Sequence, residues 1–505
     1  VLKNVVILCF MAKQPVVAVV GHVDHGKSTL LDCIRKTNTT EKEAGGITQK
    51  IGAYEVGHKT SDGNERRITF IDTPGHEAFS CCRKNASCAA DIAILVVAAD
   101  EGAKPQTIEA YSILQKNKIP FVIALTKTDK PNADAERTKQ SLAEKEIFVE
   151  GYGGNIPVAT VSAKSGNGVS ELLDLVLLLS DMNEKHGNKK STAEGVVLEA
   201  HRSRTKGICA TLIIKNGTLK KGHTLLAGSA LSGLRIAEDF AGKPLTEATN
   251  GKVAHVCGWN ELPSVGETFI AYENKKEAEE AARMFIEELK RPHVIKEKKE
   301  ELEKLTVPLL VKADTFGSIE AIKHETERLG NEKVLIKIAS AELGNVSEND
   351  MRLAESIKNS VVIGFNVEVD APARKRSQQS GGREVHLFDI IYRLTEFLDE
   401  EIKKRTPKET KEEIAGQARI IKIFSETKQT QVVGGKVLAG TIALGNEFRI
   451  VRRGEHIGTG KIKELQKMKE KIREVAEGAE FGALAAHSIP LAISDIIEVV
   501  KTVEV

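Results

Sequence analysis

The 505-residue sequence predicts a mixed α/β and β multidomain chain: a P-loop domain, a β-barrel, a small α/β domain with a parallel sheet, a long connecting helix and a second β-barrel. Three observations carry this expectation. The β-branched run VVAVV, Val16 to Val20, ends in a glycine-rich loop that opens into a helical segment. A hairpin pattern, KNGTLKKGHTLLAG at Lys215 to Gly228, returns as LAGTIALGNEFRIV at Leu438 to Val451, both carrying G-T-[LI]-x-x-G before alternating apolar residues. Between them, strand-like and helix-like segments alternate.

Bulk composition narrows the function classes. At 41% hydrophobic and 29% charged residues the chain is long enough for about three or four cores. A formal net charge of +2 excludes a polycation that wraps nucleic acid by charge alone, so any RNA contact is local. Seven cysteines, odd in number and without a C-x-x-C pair, fit a reducing compartment and read as mostly buried thiols. Residues 1–14 form an N-terminal extension whose apolar run is too short to span a bilayer and precedes no small-residue cleavage site. Met11 is a candidate start, the ten residues before it being either an added extension or the remnant of a longer N-terminal region. A cytoplasmic protein is expected.

Residues 15–182 carry the chemistry. Gly21 to Ser28, spelled G-H-V-D-H-G-K-S and followed by Thr29, has the spacing of a phosphate-binding loop between strand and helix. Its glycines, Gly21 and Gly26, let backbone N–H groups turn inward around phosphate oxygens; Lys27 neutralises charge, and the Ser28 hydroxyl can hold Mg²⁺. A second strand ends at Asp72, which can hold Mg²⁺ through a water, and the Gly75 amide can meet a γ-phosphate. A third strand ends in Thr126, Lys127 and Asp129, and a fourth in Ser162, Ala163 and Lys164. A carboxylate at Asp129 accepts hydrogen bonds from both the N1 and the exocyclic amine of guanine, a pair adenine lacks, so the ligand expected is GTP. Thr126 stands where asparagine is usual and keeps one of two hydrogen bonds to the loop. His22 and His25 flank the loop and suit a structural or phosphate-screening role better than catalysis.

A polar linker near Asn183 to Ala193 precedes the first barrel, 193–272. Residues 273–304 read as a solvated helical connector because both charge signs alternate along them. Residues 305–386 alternate strand and helix, and 387–407 read as a long linker helix, with Leu387, Ile390, Ile391, Leu394, Phe397 and Leu398 as an apolar face whose N-terminal half packs on the α/β unit. The second barrel occupies 408–505. Within it KIKELQKMKEKIR, Lys461 to Arg473, holds six basic residues against two acidic ones, which suits either a stripe touching nucleic-acid backbone or a solvated helix or strand edge.

The four ordered motifs together with DTPGH resemble the translational GTPases. That resemblance implies that His76 orients the attacking water, that Thr48 of EAGGITQKIGA closes onto Mg²⁺ and γ-phosphate, that Val23 and Ile47 form an apolar gate beside the histidine, and that Asp24 lies near it with a possible monovalent ion. A plain alternative for His76 is a cap on the following helix. EAGGITQKIGAY, KADTFGSIEAI, GFNVEVDAPARKRS and DIIYRL, in this domain order from about Pro15 to Val505, are similar to bacterial and organellar translation initiation factor two. The resemblance implies a GTPase, with GTP and Mg²⁺ as cofactors. It would bring formylmethionyl initiator tRNA to the small ribosomal subunit, promote joining of the large one, and work as a monomer away from membranes with other initiation factors. The archaeal and eukaryotic counterpart shares the architecture but has longer C-terminal helices, so the bacterial type in a minimal form, without a long N-terminal region, is the expectation. By family the last barrel holds the aminoacylated tRNA end around Gly435, Glu480 and Phe481. There Gly435 and Phe481 replace cysteines, which points to a pocket rebuilt around an aromatic contact or partly filled. A non-hydrolysing RNA scaffold fits poorly with Lys27, Thr48, Asp72 and His76, and another specialised translational GTPase fits poorly with the segments after residue 305.

Overall fold

Val16–Gly21 (β1) is buried along its whole length, as a strand covered on both faces of a parallel sheet must be. The computed structural model describes residues 14–37, 48–61, 63–183, 191–289, 305–330, 334–379, 383–406, 410–427, 429–468 and 470–504. After β1 come α1 (Lys27–Arg35), β2 (Gly52–Lys59), β3 (Glu65–Asp72), α2 (Ser80–Ala89), β4 (Ile92–Ala98), α3 (Pro105–Lys116), β5 (Phe121–Thr126), α4 (Ala135–Ala143), β6 (Val158–Thr160) and α5 (Val169–Met182). The sheet order is β2-β3-β1-β4-β5-β6, parallel except for β2. Parallel pairing brings the ends of β1, β3, β5 and β6 to one edge, and the loops holding residues 21–28, 73–76, 126–129 and 162–164 leave from those four ends.

The next strands are β7 (Glu194–Ser203), β8 (Gly207–Asn216), β9 (Thr218–Lys220), β10 (Thr224–Ala227), β11 (Ala230–Glu238), β12 (Glu247–Thr249), β13 (Val253–Trp259) and β14 (Thr268–Tyr272). Six of them close a barrel in the order β10-β11-β13-β8-β7-β14. One cysteine expectation is corrected here. Cys209 and Cys257 face each other across antiparallel β8 and β13, with Cα atoms 4.0 Å apart, and are joined as a disulfide. Their sequence separation of 48 hides a proximity that only strand register creates. Nor are the other described cysteines mostly buried: Cys82 is, while Cys33 and Cys81 are half-buried and Cys88 is exposed. The charged segment after the barrel is the helix α6 (Lys275–Leu289), which is more than a solvated connector, since it buries Ala278 and Ala282 against β10, β11 and β14.

The α/β domain runs β15 (Leu305–Ala313), α7 (Phe316–Leu329), β16 (Val334–Leu343), α8 (Glu348–Ser356), β17 (Val361–Phe365), α9 (Ala371–Ser377), β18 (Val385–Phe388) and α10 (Ile391–Arg405). Its four strands are all parallel, in the order β16-β15-β17-β18. The expected linker helix therefore starts later than its apolar spacing suggests: Leu387 pairs with Gly364 in the sheet, and Ile390 precedes the helix. Nor is only its N-terminal half packed, because Ile391, Leu394, Leu398 and Ile402 bury one face along its length. They share a core with Val16, Phe79 and Cys82 of the P-loop domain, Leu198 of the barrel and Phe365 of β17, so residues up to Arg405 form one compact unit.

Residues from Thr406 form a second unit. It contains β19 (Thr410–Glu426), β20 (Thr430–Ala443), β21 (Glu447–Arg452), β22 (Glu455–Lys467), β23 (Glu470–Lys471), β24 (Glu474–Ala476), β25 (Glu480–His487) and β26 (Ile496–Glu504). Pairing runs β19-β26-β21-β22-β25-β20 and returns from β20 to β19, closing a ring around Phe448, Ile450, Phe481 and Val499. The basic stretch is the end of β22 and the short β23, not a helix; Lys461 pairs with Glu447 and Lys471 with Glu464, while Lys467 and Arg473 are exposed and Lys469 lies outside the described residues. The repeated hairpin has a common backbone cause. Gly217 and Gly440 both have positive φ, 74° and 69°, and a Cβ on either would strike a carbonyl oxygen at 2.3 or 2.2 Å. With its own closed core, a fragment from Thr406 to Val505 is expected to fold alone in one cooperative transition, and Phe481→Ala to cost it about 3–5 kcal/mol, both read by denaturant titration of the fragment.

Candidate nucleotide site

The edge where β1, β3, β5 and β6 end opens into a cavity of about 360 Å³. Val23, Asp24, Gly26, Lys27, Ser28, Thr29, Thr48, Gly75, His76, Thr126, Lys127, Asp129, Ala163 and Lys164 line it. Gly21, His22, His25, Asp72 and Ser162 are not among the lining residues, and Ile47, one half of the expected gate, lies outside the described residues.

The loop after β1 folds as it does because two glycines release it. Gly26 has φ 83° and begins α1; a Cβ on Gly21 would lie 2.4 Å from the Val96 carbonyl oxygen. Inside the loop the Lys27 amine donates to the His22 carbonyl at 2.6 Å. Burial, opposed in part by the Asp72 carboxylate, pushes its pKa down to about 8. Gly75 must be glycine for the same amine to sit there, since a Cβ would come within 2.5 Å of Lys27 Nζ and 3.1 Å of Val23. The Ser28 and Thr48 hydroxyl oxygens are 2.8 Å apart. Two hydroxyls, a nearby carboxylate at Asp72 and a cradle in which a Cβ would collide form a donor set that fits a phosphate chain with Mg²⁺.

At the other end of the cavity, Ser162 Oγ donates to Asp129 Oδ1 at 2.8 Å, which holds the exposed carboxylate below its usual pKa and fixes its direction. Thr126 Oγ1 donates to the His25 carbonyl at 2.5 Å, the one loop contact expected of it. Lys127, in the left-handed region at φ 58°, pairs with Glu101 at 3.4 Å. His25 is fully buried; its Nδ1 accepts the Ala98 N–H at 3.3 Å, and burial pushes its pKa down to about 4. It is a structural histidine.

His76 borders the cavity, and its Nδ1 accepts the Ala78 N–H at 3.0 Å, capping the turn Glu77–Phe79. The proton of the neutral ring is therefore on Nε2, and burial holds the pKa below its ordinary value. So the capping geometry and a place at the cavity coexist.

Several residues here escaped sequence reasoning. Arg83, 1% exposed, donates through Nη1 to the carbonyls of Pro74, Gly75 and His76 at 3.2, 3.2 and 2.6 Å, and through Nη2 to both Glu109 oxygens at 2.7 and 2.8 Å. Gln106 accepts the Val23 N–H at 3.0 Å. Tyr392, from α10, also lines the cavity, its ring 4.6 Å from that of His76. DIIYRL marked family likeness without any local sign that its tyrosine reaches a distant domain.

In the second barrel Gly435 lies opposite Phe481 and Lys436 opposite Glu480 on β20 and β25, lining a groove of about 930 Å³. Phe481 is 4% exposed, and a Cβ on Gly435 would come 2.8 Å from its ring. Phe481 is a largely buried side chain at the floor of the groove, and Gly435 is the space its ring needs.

Comparison with known proteins agrees with this layout. Residues 13–181 match the elongation factor Tu GTP binding domain, 192–272 elongation factor G domain 2, and 278–399 translation-initiation factor 2. These matches and the fold define a translational GTP-binding protein. The translation initiation factor IF-2 of Campylobacter lari is 38% identical over 97% of the chain, and that of Persephonella marina 40% over 97%. The chain belongs to the initiation factor two family. It spans 57% and 56% of those two relatives' own lengths. Among solved structures, GDP-bound aIF5B from Aeropyrum pernix aligns over 97% of this chain and 92% of its own at 28% identity, with a TM-score of 0.46.

The buried imidazole of His25 gives a pH test. Its folded pKa of about 4 lies below the unfolded value near 6.5, so the unfolded chain binds the extra proton as pH falls between them. Stability is thus complete above pH 6.5 and is expected to fall by about 3 kcal/mol towards pH 4 on this account. His25→Asn, which keeps an acceptor for the Ala98 N–H, should remove that part of the slope in chemical denaturation from pH 7 to 4.

Proposed function

We propose that this chain is a translation initiation GTPase that binds GTP with Mg²⁺ in the cavity and hydrolyses it on the assembled ribosome. In this reading it brings formylmethionyl initiator tRNA to the small subunit and promotes subunit joining in the cytoplasm, alongside other initiation factors. The observation that carries the reading is the convergence of four separate loops on one cavity, with Lys27 at its phosphate end and Asp129 at its base end. Among the described residues no helix is long and apolar enough to cross a membrane. The groove around Gly435, Glu480 and Phe481 is the proposed seat of the aminoacylated tRNA end.

Residue roles follow from placement. Lys27 exchanges its hydrogen bond to the His22 carbonyl for phosphate oxygens, which restore its full charge. The Ser28 and Thr48 hydroxyls converge where the metal would bind, with Asp72 behind them; Mg²⁺ there supplies neutralisation of charge on the phosphate oxygens. His76 keeps a proton on Nε2, from which it can hold a water oxygen once its ring turns towards the γ-phosphate. Val23, packed on Gly75, covers the apolar side.

Asp129→Asn should weaken GTP and favour xanthosine nucleotides, because an amide donates to the xanthine oxygen where the carboxylate only accepts; an unaltered GTP preference in competition binding would refute the assignment. His76→Ala should bind GTP and ribosomes normally while ribosome-stimulated turnover drops by about two orders of magnitude or more, checked by phosphate release.

A further inference from the structure

Two contacts outside the P-loop domain meet its nucleotide-facing residues. Gln49, next to Thr48, is 8% exposed and reaches the start of α10: its Nε2 donates to the Asp389 carbonyl at 2.9 Å, and its Oε1 accepts the Ile391 N–H at 3.1 Å. Two residues' backbone groups are thus satisfied by one side chain, and the Ile391 amide belongs to the first turn of a helix, where intrahelical acceptors are missing. One residue further on, the Tyr392 ring stands edge-on to His76 at 4.6 Å and 72°. His76 is thereby fixed on two sides, by the Ala78 N–H at Nδ1 and by the tyrosine.

We propose that Tyr392 is a positioning residue for His76, a role that rests on hydrolysis being the function of the site. The α/β domain holds the imidazole in its capping position through Tyr392, and Gln49 ties that hold to Thr48. The peptide between Thr48 and Gln49 is rigid, so when Thr48 changes partner at the metal site the hydrogen-bonded start of α10 is pulled with it. Tyr392 then leaves the imidazole, and His76 can exchange the Ala78 N–H for water. The arrangement makes the resting rate low without touching the groups that bind nucleotide. Lys50, which pairs with Asp314 of the α/β domain at 2.5 Å, adds a third tie on the same segment.

The test uses the whole chain. Tyr392→Ala should raise ribosome-independent kcat for GTP by about three- to tenfold, the population shift set free by the loss of one aromatic pair, with KM unchanged. Tyr392→Phe keeps the ring edge and should restore the wild-type rate, while adding His76→Ala should cancel the gain. Gln49→Ala, which cuts the tie without emptying the aromatic contact, leaves Tyr392 on the imidazole and should lower kcat; it serves if Tyr392→Ala does not fold. An unchanged or lower kcat in Tyr392→Ala, or an unchanged or higher one in Gln49→Ala, overturns the proposal. A second readout is independent of turnover: amide exchange at Ala78 should accelerate in Tyr392→Ala, since its acceptor is less often in place, and unaltered exchange also overturns it. If the wild-type chain releases no phosphate with or without ribosomes, the hydrolysis reading fails, and the Ala78 exchange still decides whether Tyr392 holds His76.

Discussion

A single buried guanidinium keeps the loop after β3 in shape. Arg83 is out of solvent, and burying a charge is tolerated only when it is paired; both Nη atoms are, while Nε has no hydrogen-bond partner among the described residues. Three consecutive carbonyls, Pro74, Gly75 and His76, and the Glu109 carboxylate provide that pairing. The loop cannot relax without stranding the charge, so Gly75 stays against Lys27 and His76 at the rim of the cavity. Glu109 lies on α3, which packs beside α2 on one face of β1, and the strut therefore ties the loop to a neighbouring helix.

The same loop continues into a core shared by three domains. Ala78 and Phe79 are packed with Leu198 of the first barrel and with Leu309 and Phe365 of the α/β domain. A change in the loop must repack that cluster or move it as a body, because close-packed interiors switch between arrangements rather than deform continuously. This ties movements of the Gly75–His76 loop to the first barrel and the α/β domain. The second unit has a core of its own, around Phe448 and Phe481.

Much of the phosphate and base site was legible because its residues act over short stretches: a strand, a turn and a helix start place Gly21, Gly26, Lys27 and Ser28 with no help from distant parts. The hairpin repeat was legible for the same reason, since a left-handed glycine is a local requirement. What was not legible depends on tertiary pairing. The Cys209–Cys257 bond needs the register of β8 on β13. The start of α10 needed β18 to be seen as an edge strand, although VHLF alone reads equally as the first turn of an apolar helix face. Gln49 and Tyr392 lie in stretches that carry the family likeness, EAGGITQKIGAY and DIIYRL, yet nothing local in them or around Arg83 shows what these side chains reach; their partners lie up to 342 residues away.

The two ends of the nucleotide cavity differ in depth. Lys27 is 6% exposed at the phosphate end, whereas the Asp129 carboxylate at the other end is open to water. Coulomb attraction in the sheltered floor is stronger than at the wet rim, where each hydrogen bond to the base replaces one to solvent. In the proposed reading, grip and discrimination are therefore physically separate: the phosphates supply most of the affinity, and the base supplies a veto. Ligands that share the phosphate chain compete for the same floor whatever base they carry, and their ranking is decided at the rim by a few hydrogen bonds.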